Sequence, residues 1–361
     1  MKMKNLIRVR TMLLMLFVSS AIFLGSCKKD AAIVEGDKTV LNATIATADA
    51  LSAKAVVADY PQAGITTYQT TLATVKKAAA TPLTQIEIDN LNIQLLAAMA
   101  TLNTQAYGFI DESKYLNAGW HFDEGTGTTA TAFSTVKHVA SFKGGNSAIL
   151  GATAVSAPTW VAGVKGGKAI YLKGGAHLEV PYTNAFLPAN LTISVWIKAD
   201  ELYENNYILS QNFWQGYKLQ TQGGGKPFFT YKKVDGGIID ADNETDNSVK
   251  ATQWTHIVVS VNGTSNELKF YINGTLTKTW TAANKGIGPI IQTLSAPAAQ
   301  PFLIGCVATD DELANDAGVG WMGWTTAANF GYFKGAIDEL KIYNIALADG
   351  QVSKLYNDEK P

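Results

Sequence analysis

The stretch Leu191–Asp200 reads LTISVWIKAD, and its alternation decides the fold. Leu191, Ile193, Val195 and Ile197 fall at every second position, so a β-strand places all four on one face. The pattern returns in WTHIVVSVNG, where Ile257, Val259 and Val261 share a face, and in ELKFYINGT, where Leu268, Phe270 and Ile272 do. Each run reads as a half-buried strand closed by Gly, Asn or Asp. Asn262-Gly263 and Asn273-Gly274 are hairpin signals, because Asn and Gly tolerate positive φ. Beyond Gly108 such runs follow one another with no helical period between them, which predicts a β-sandwich of jelly-roll type.

Upstream the period is helical. Ile65, Tyr68, Leu72, Val75 and Ala79 recur at three and four residues, and Leu41, Ile45, Ala48 and Leu51 do the same before them. Thr84 and Glu87 form a capping box, and Leu83 and Ile88 a hydrophobic staple, ahead of Leu91, Leu95, Met99 and Leu102. Residues 38–106 therefore read as a three-helix bundle, between linkers at 27–37 and 107–114. This pattern resembles the FIVAR-like helical modules of bacterial surface proteins, which implies a spacer.

The chain has 361 residues, a formal net charge of −1, 47% hydrophobic and 16% charged residues. That composition is globular and leaves no basic run for phosphate, so electrostatic binding of nucleic acid is not expected. Lys2, Lys4, Arg8 and Arg10 precede an apolar stretch, Met12–Leu24, that is short for a membrane span. Leu24-Gly25-Ser26-Cys27 then resembles the lipobox of bacterial lipoproteins. The resemblance implies a signal peptide at 1–26, lipidation of Cys27, contact with the membrane through that anchor alone, and an outer-membrane location. Cys306, the other cysteine, lies in an apolar run and reads as a small buried hydrophobe.

The segments YLNAGWHFDEGTGTTATAFS, APTWVAGVKGGKAIYLKGGAHLEVPYT, LTISVWIKAD, WTHIVVSVNGTSNELKFYINGT and YFKGAIDELKIYNIALADGQVSKLYN follow in that order. Together they resemble LamG-like domains with the concanavalin A-like jelly roll, over residues 115–358. The fold class is thus mainly β: a concanavalin A-like jelly-roll β-sandwich with an N-terminal three-helix bundle. The resemblance implies carbohydrate binding, with protein-binding members as the alternative, so a glycan ligand and envelope protein partners are both expected. Laminarinase-type glycosidases share the fold and carry Glu-x-Asp carboxylates on one strand. The one Glu-Ile-Asp here, Glu87–Asp89, sits in the bundle, so a glycoside hydrolase is the third reading.

Relatives of this kind also hold a structural Ca²⁺ near the first and last strands. Asp338 shares the parity of Leu340 and Ile342, and Glu124 that of Trp120 and Phe122. Asp123, Glu124 and Asp338 are the candidate ligands, against a reading in which they cap turns. The segment between FLIG and YFKGAIDEL is lengthened here and is rich in acids, then in aromatics. Leaving a Trp in water forgoes roughly 1.5–3 kcal/mol of burial, so Trp321 and Trp324 either pack or stack on sugar, with Asn329 and Asp316 as edge binders. Trp214, with Gln211 and Asn212 beside it, is a second candidate platform.

Overall fold

The helical period folds as α1 (Thr39–Lys54), α2 (Gln62–Ala79) and α3 (Gln85–Thr104) in a computed structural model that describes residues 34–57, 59–150, 155–294, 300–311 and 331–361. Thr84 N donates to Glu87 Oε2 at 2.8 Å and Glu87 N to Thr84 Oγ1 at 3.4 Å, closing the capping box. Leu41, Leu72, Val75, Leu95 and Leu102 pack the seam. Tyr68 belongs to that seam and satisfies its hydroxyl by donating to Ala48 O at 2.8 Å. Among the described residues no helix is long and apolar enough to cross a membrane.

The rest is two antiparallel sheets. The first orders β14 (Thr275–Thr281), β13 (Glu267–Ile272), β12 (Thr255–Asn262), β7 (Leu191–Ala199), β16 (Gly335–Tyr343), β5 (Lys168–Leu172) and β4 (Thr159–Ala162), with β1 (Leu116–Trp120) also paired to β16. The second orders β11 (Ile238–Asp242), β10 (Lys226–Lys232), β9 (Tyr217–Gln222), β8 (Asn206–Gln211), β15 (Phe302–Ile304), β6 (His177–Val180), β3 (Val139–Lys143) and β2 (Thr129–Thr131). The alternating residues of β7, β12 and β13 meet Leu219, Phe229, Phe302 and Ile304 of the second sheet in one apolar core. Asn273 and Gly274 both take positive φ, 49° and 74°, as a two-residue hairpin turn requires. At the other expected hairpin the loop is longer: Asn262 Oδ1 accepts from Thr264 N and Ser265 N, and Asn266 carries the positive φ.

The expectation of half-buried strands fails for β7. Thr192, Ser194 and Trp196, on its outward side, are also buried. The C-terminal helix Asp349–Glu359 is the reason. Trp196 stacks on His256 at 5.0 Å and on Tyr356 of that helix at 5.7 Å, and its Nε1 donates to Glu359 Oε2 at 2.8 Å. Lys341, on the same outward side, pairs with Glu359 and, at 2.7 Å, with Glu339. Ser194 Oγ and His256 Nε2 are 2.8 Å apart, and burial pushes the imidazole pKa down to about 3, so it stays neutral.

A bulge in β16 changes the expected parity of its carboxylates. The pairing with β7 shifts between Asp338 and Lys341, and Glu339 takes φ 46°. Ile337, Leu340 and Ile342 face the core, while Asp338 faces outward with Lys341. Asp338 is therefore not on the core face, and it shares the outward side with Glu339.

Removing one member of a buried ion pair strands the other. Glu359→Ala is expected to destabilise the chain by about 3 kcal/mol, read by urea unfolding. Lys341→Met with Glu359→Leu should recover most of the loss, since packed apolar groups can replace such a pair.

Candidate functional site

Strand register builds the outward face of the second sheet. Leu303, Ser210, Lys218, Thr230 and Asp240 lie opposite one another across β15, β8, β9, β10 and β11. The adjacent row is Tyr207, Gln220, Phe228 and Asp242. Their chain neighbours Tyr217, Leu219, Phe229, Tyr231, Ile239 and Ala241 fill the core, so period two sends these side chains out.

Lys218 organises the centre of this face. Its ammonium donates to Gln220 Oε1 at 2.6 Å, and Gln220 Nε2 donates to Asn205 Oδ1 at 3.2 Å, which also accepts from Tyr207 OH at 3.2 Å. The same ammonium lies 4.9 Å from the Trp214 ring, 5.1 Å from Phe228 and 5.3 Å from Tyr207. One cation thus ties together three rings from three parts of the chain. Burial pushes its pKa down to about 8, with the Asp240 carboxylate acting the other way.

Trp214 reaches this position on a strained turn. Asn212 and Phe213 take φ of 54° and 33° before the 3₁₀ turn Phe213–Gln215. Ser210 Oγ accepts from Phe213 N at 2.9 Å, and Asn212 O from Gln215 N at 2.9 Å, which ties the turn to the end of β8. Strain of roughly 1–3 kcal/mol per residue persists where surrounding contacts over-determine it, and it collects at ligand clamps.

Beside Phe228 the face opens into a cleft of about 440 Å³ at the edge where β11 approaches β14. Phe228, Asp240 and Asp242 line one side, Trp280 and Lys285 the other, and Lys226 an end. Trp280 Nε1 donates to Asp242 O at 2.7 Å, joining the edges of the two sheets. Lys278 and Lys285 lie 4.0 and 5.0 Å from the indole. Lys226 pairs with Asp242 at 3.4 Å and Asp246 at 3.5 Å, and Lys278 with Glu244. Asp240 accepts from the Thr230 hydroxyl, and Asp242 Oδ1 accepts from Glu244 N at 2.7 Å.

The sequence candidates distribute unevenly. Trp214 lies on the outward face, over Lys218. Gln211 does not join it: it pairs opposite Tyr217, a core residue, is fully buried, and donates through Nε2 to Gln300 O at 3.0 Å. Strand alternation puts it on the inner face, away from Trp214. Asn212 is buried at the base of the turn, where its carbonyl serves as the acceptor just described. Trp321, Trp324, Asn329, Asp316 and Cys27 lie outside the described residues.

The three expected calcium ligands each accept a hydrogen bond from a backbone N–H. Asp123 Oδ1 accepts from Lys168 N at 2.7 Å, Asp338 Oδ2 from Val164 N at 2.8 Å, and Glu124 Oε1 from Thr131 N at 2.7 Å. Phe122, at φ 55°, turns the chain just beyond β1 and breaks the parity that linked Glu124 to Trp120. Among the described residues no three His, Cys, Asp or Glu side chains converge as metal ligands. Desolvation pushes Asp338 up to about 7, with Glu339 and Asp123 adding to the rise.

Sequence reading missed Lys218, Gln220, Phe228, Asp240 and Asp242. The signal was present: YKLQTQ and KPFFTYK alternate apolar residues with Lys, Gln and Thr, and Asp240-Ala241-Asp242 repeats the alternation with carboxylates.

A family model described as the concanavalin A-like lectin/glucanases superfamily matches residues 172–353. Among solved structures, the chain is similar to domain 4 of AbnA, a GH43 extracellular arabinanase from Geobacillus stearothermophilus, in complex with arabinotriose. Identity is 20%, coverage 67% of this chain and 98% of that one, and the TM-score 0.45. It is also similar to the binding domain of Paraclostridial Mosquitocidal Protein 1 (18% identity, 69% and 53% covered, TM-score 0.43). The receptor binding domain of botulinum neurotoxin mosaic serotype C/D matches at 14% identity, with 69% and 52% covered and a TM-score of 0.45. The chain spans about half the length of these two toxin structures. No curated protein matches the chain at a significant level.

Below pH 8 the folded chain holds Lys218 charged at a cost, and that cost disappears once the unfolded lysine also deprotonates near 10.5. Stability should therefore rise with pH between these values, by at most on the order of 3 kcal/mol. Lys218→Met lacks this gain. Its melting temperature should exceed wild type at pH 7 and converge with it near pH 10.5.

Proposed function

The chain belongs to the concanavalin A-like lectin/glucanases superfamily, and from that premise we propose that it is a non-catalytic glycan-binding lipoprotein of the cell envelope. Lipidation at Cys27 anchors it to the outer membrane, and α1–α3 act as the spacer that holds the sandwich away from the lipid. A place in glycan uptake follows from that arrangement.

The observation that carries the binding reading is Lys218 fastening Trp214 and Phe228 into one aromatic surface beside an open cleft. Sugar rings present an apolar C–H face with hydroxyls at the edge. Rings fixed before the ligand arrives lose less freedom on binding. Asp240 and Asp242 and the lysines around them supply the edge contacts. The protein-binding alternative has one observation of its own, the exposed Ile86 and Ile93 on α3.

A glycan array probed with the full chain tests the reading, followed by titration calorimetry on any hit. Trp214→Ala should weaken binding about tenfold, the order of one lost aromatic contact, in a chain that stays folded by circular dichroism but melts lower, because the ring also packs against Tyr207 and Leu303. The Trp321→Ala/Trp324→Ala double variant tests the remaining platform in the same assay. Binding untouched by all three changes, or oligosaccharides shortened on incubation, would overturn the proposal.

A further inference from the structure

The cleft between β11 and β14 carries an unusual charge arrangement for an open site. Four carboxylates line it: Asp240, Asp242, Glu244 and Asp246. Three ammoniums meet them: Lys226 and Lys285 line the cleft, and Lys278 pairs with Glu244. The aromatic faces are likewise supplied with cations from within the chain, since Lys278 and Lys285 sit over Trp280.

This arrangement discriminates against acidic ligands. An anionic ligand must approach four carboxylates, and it gains a lysine only by drawing it from an existing partner. For a ligand ammonium the indole already faces two lysines and Lys226 already bridges Asp242 and Asp246, but Asp240 holds only a hydroxyl. An anion meets like charge and must break a pair to gain a lysine, which is how a site rejects a competitor. An uncharged polyol breaks nothing. Its hydroxyls donate to carboxylates and accept from ammoniums, so a mixed cleft offers both partners without displacement.

Resting on the glycan-binding reading, we infer that the ligand of this cleft is a glycan without acidic groups, and that its carboxylates exclude uronate and sulfated sugars. Asp240 is the specificity determinant to test. Its partner is the Thr230 hydroxyl, so its neutralisation leaves the ion pairs of Lys226 and Lys278 intact while removing one repulsive charge.

The experiment measures binding of the full chain to cello- and xylo-oligosaccharides, oligogalacturonides and sulfated carrageenan oligosaccharides. Each is run at about 50 and 500 mM NaCl, either side of ordinary screening. The neutral series should bind with affinity unchanged by salt, and each charged series at least about tenfold more weakly. Asp240→Asn should improve oligogalacturonide binding about tenfold relative to wild type. Any charged series binding as tightly as the neutral ones overturns the inference and leaves the glycan-binding reading standing, as does an Asp240→Asn variant with unaltered discrimination. Binding of no series at all overturns both.

Discussion

A β-strand has two faces, and a sandwich gives only one of them to the shared core. That constraint governs the rest of this molecule. Leu191, Ile193, Val195 and Ile197 meet Leu219, Phe229 and Phe302 across the interface, and the burial of these side chains supplies the main driving force. Each sheet is then left with an outward face that must be closed or used. The first sheet closes its face with the C-terminal helix. The second leaves part of its face reachable through the cleft beside Phe228.

The two faces bury a lysine each, and the contrast shows what each face is for. Lys341 lies between Glu339 and Glu359, so its charge is matched by carboxylates and the helix is locked to the sheet. Lys218 has an amide oxygen and three ring faces. Rings and amides repay less of the desolvation cost than a carboxylate does, which is why its pKa falls. A purely structural role would be met better by the pairing used at Lys341. The arrangement at Lys218 instead orders aromatic side chains on a face with solvent access at its edge.

How far the sequence discloses this depends on whether period two holds. It holds through β7, β12 and β13, so the core was legible residue by residue. The capping box at Thr84 and Glu87 was legible because its chemistry is local. Asp338 was misassigned because the bulge at Glu339 inserts one residue. The spacing of Ile337, Leu340 and Ile342, three and then two, carries that information and conflicts with an unbroken strand. Gln211 was placed beside Trp214 by adjacency, although alternation and then a turn separate them. The outward burial of β7 was not legible, because it depends on a helix more than 140 residues downstream.

Charged residues on edge strands have a simpler use, which is to keep exposed strand edges from pairing with other chains. β11 and β14 are edges, and Lys226, Asp242 and Lys278 serve that purpose as they stand. Edge protection needs charge alone, however, and is indifferent to what lies beneath it. It does not require Trp280 to reach across and donate to Asp242 O, nor Phe228 to sit between Lys218 and the cleft. Acids set among lysines around ordered rings fit this edge to a hydroxyl-rich ligand without acidic groups, which charge for edge protection alone does not explain.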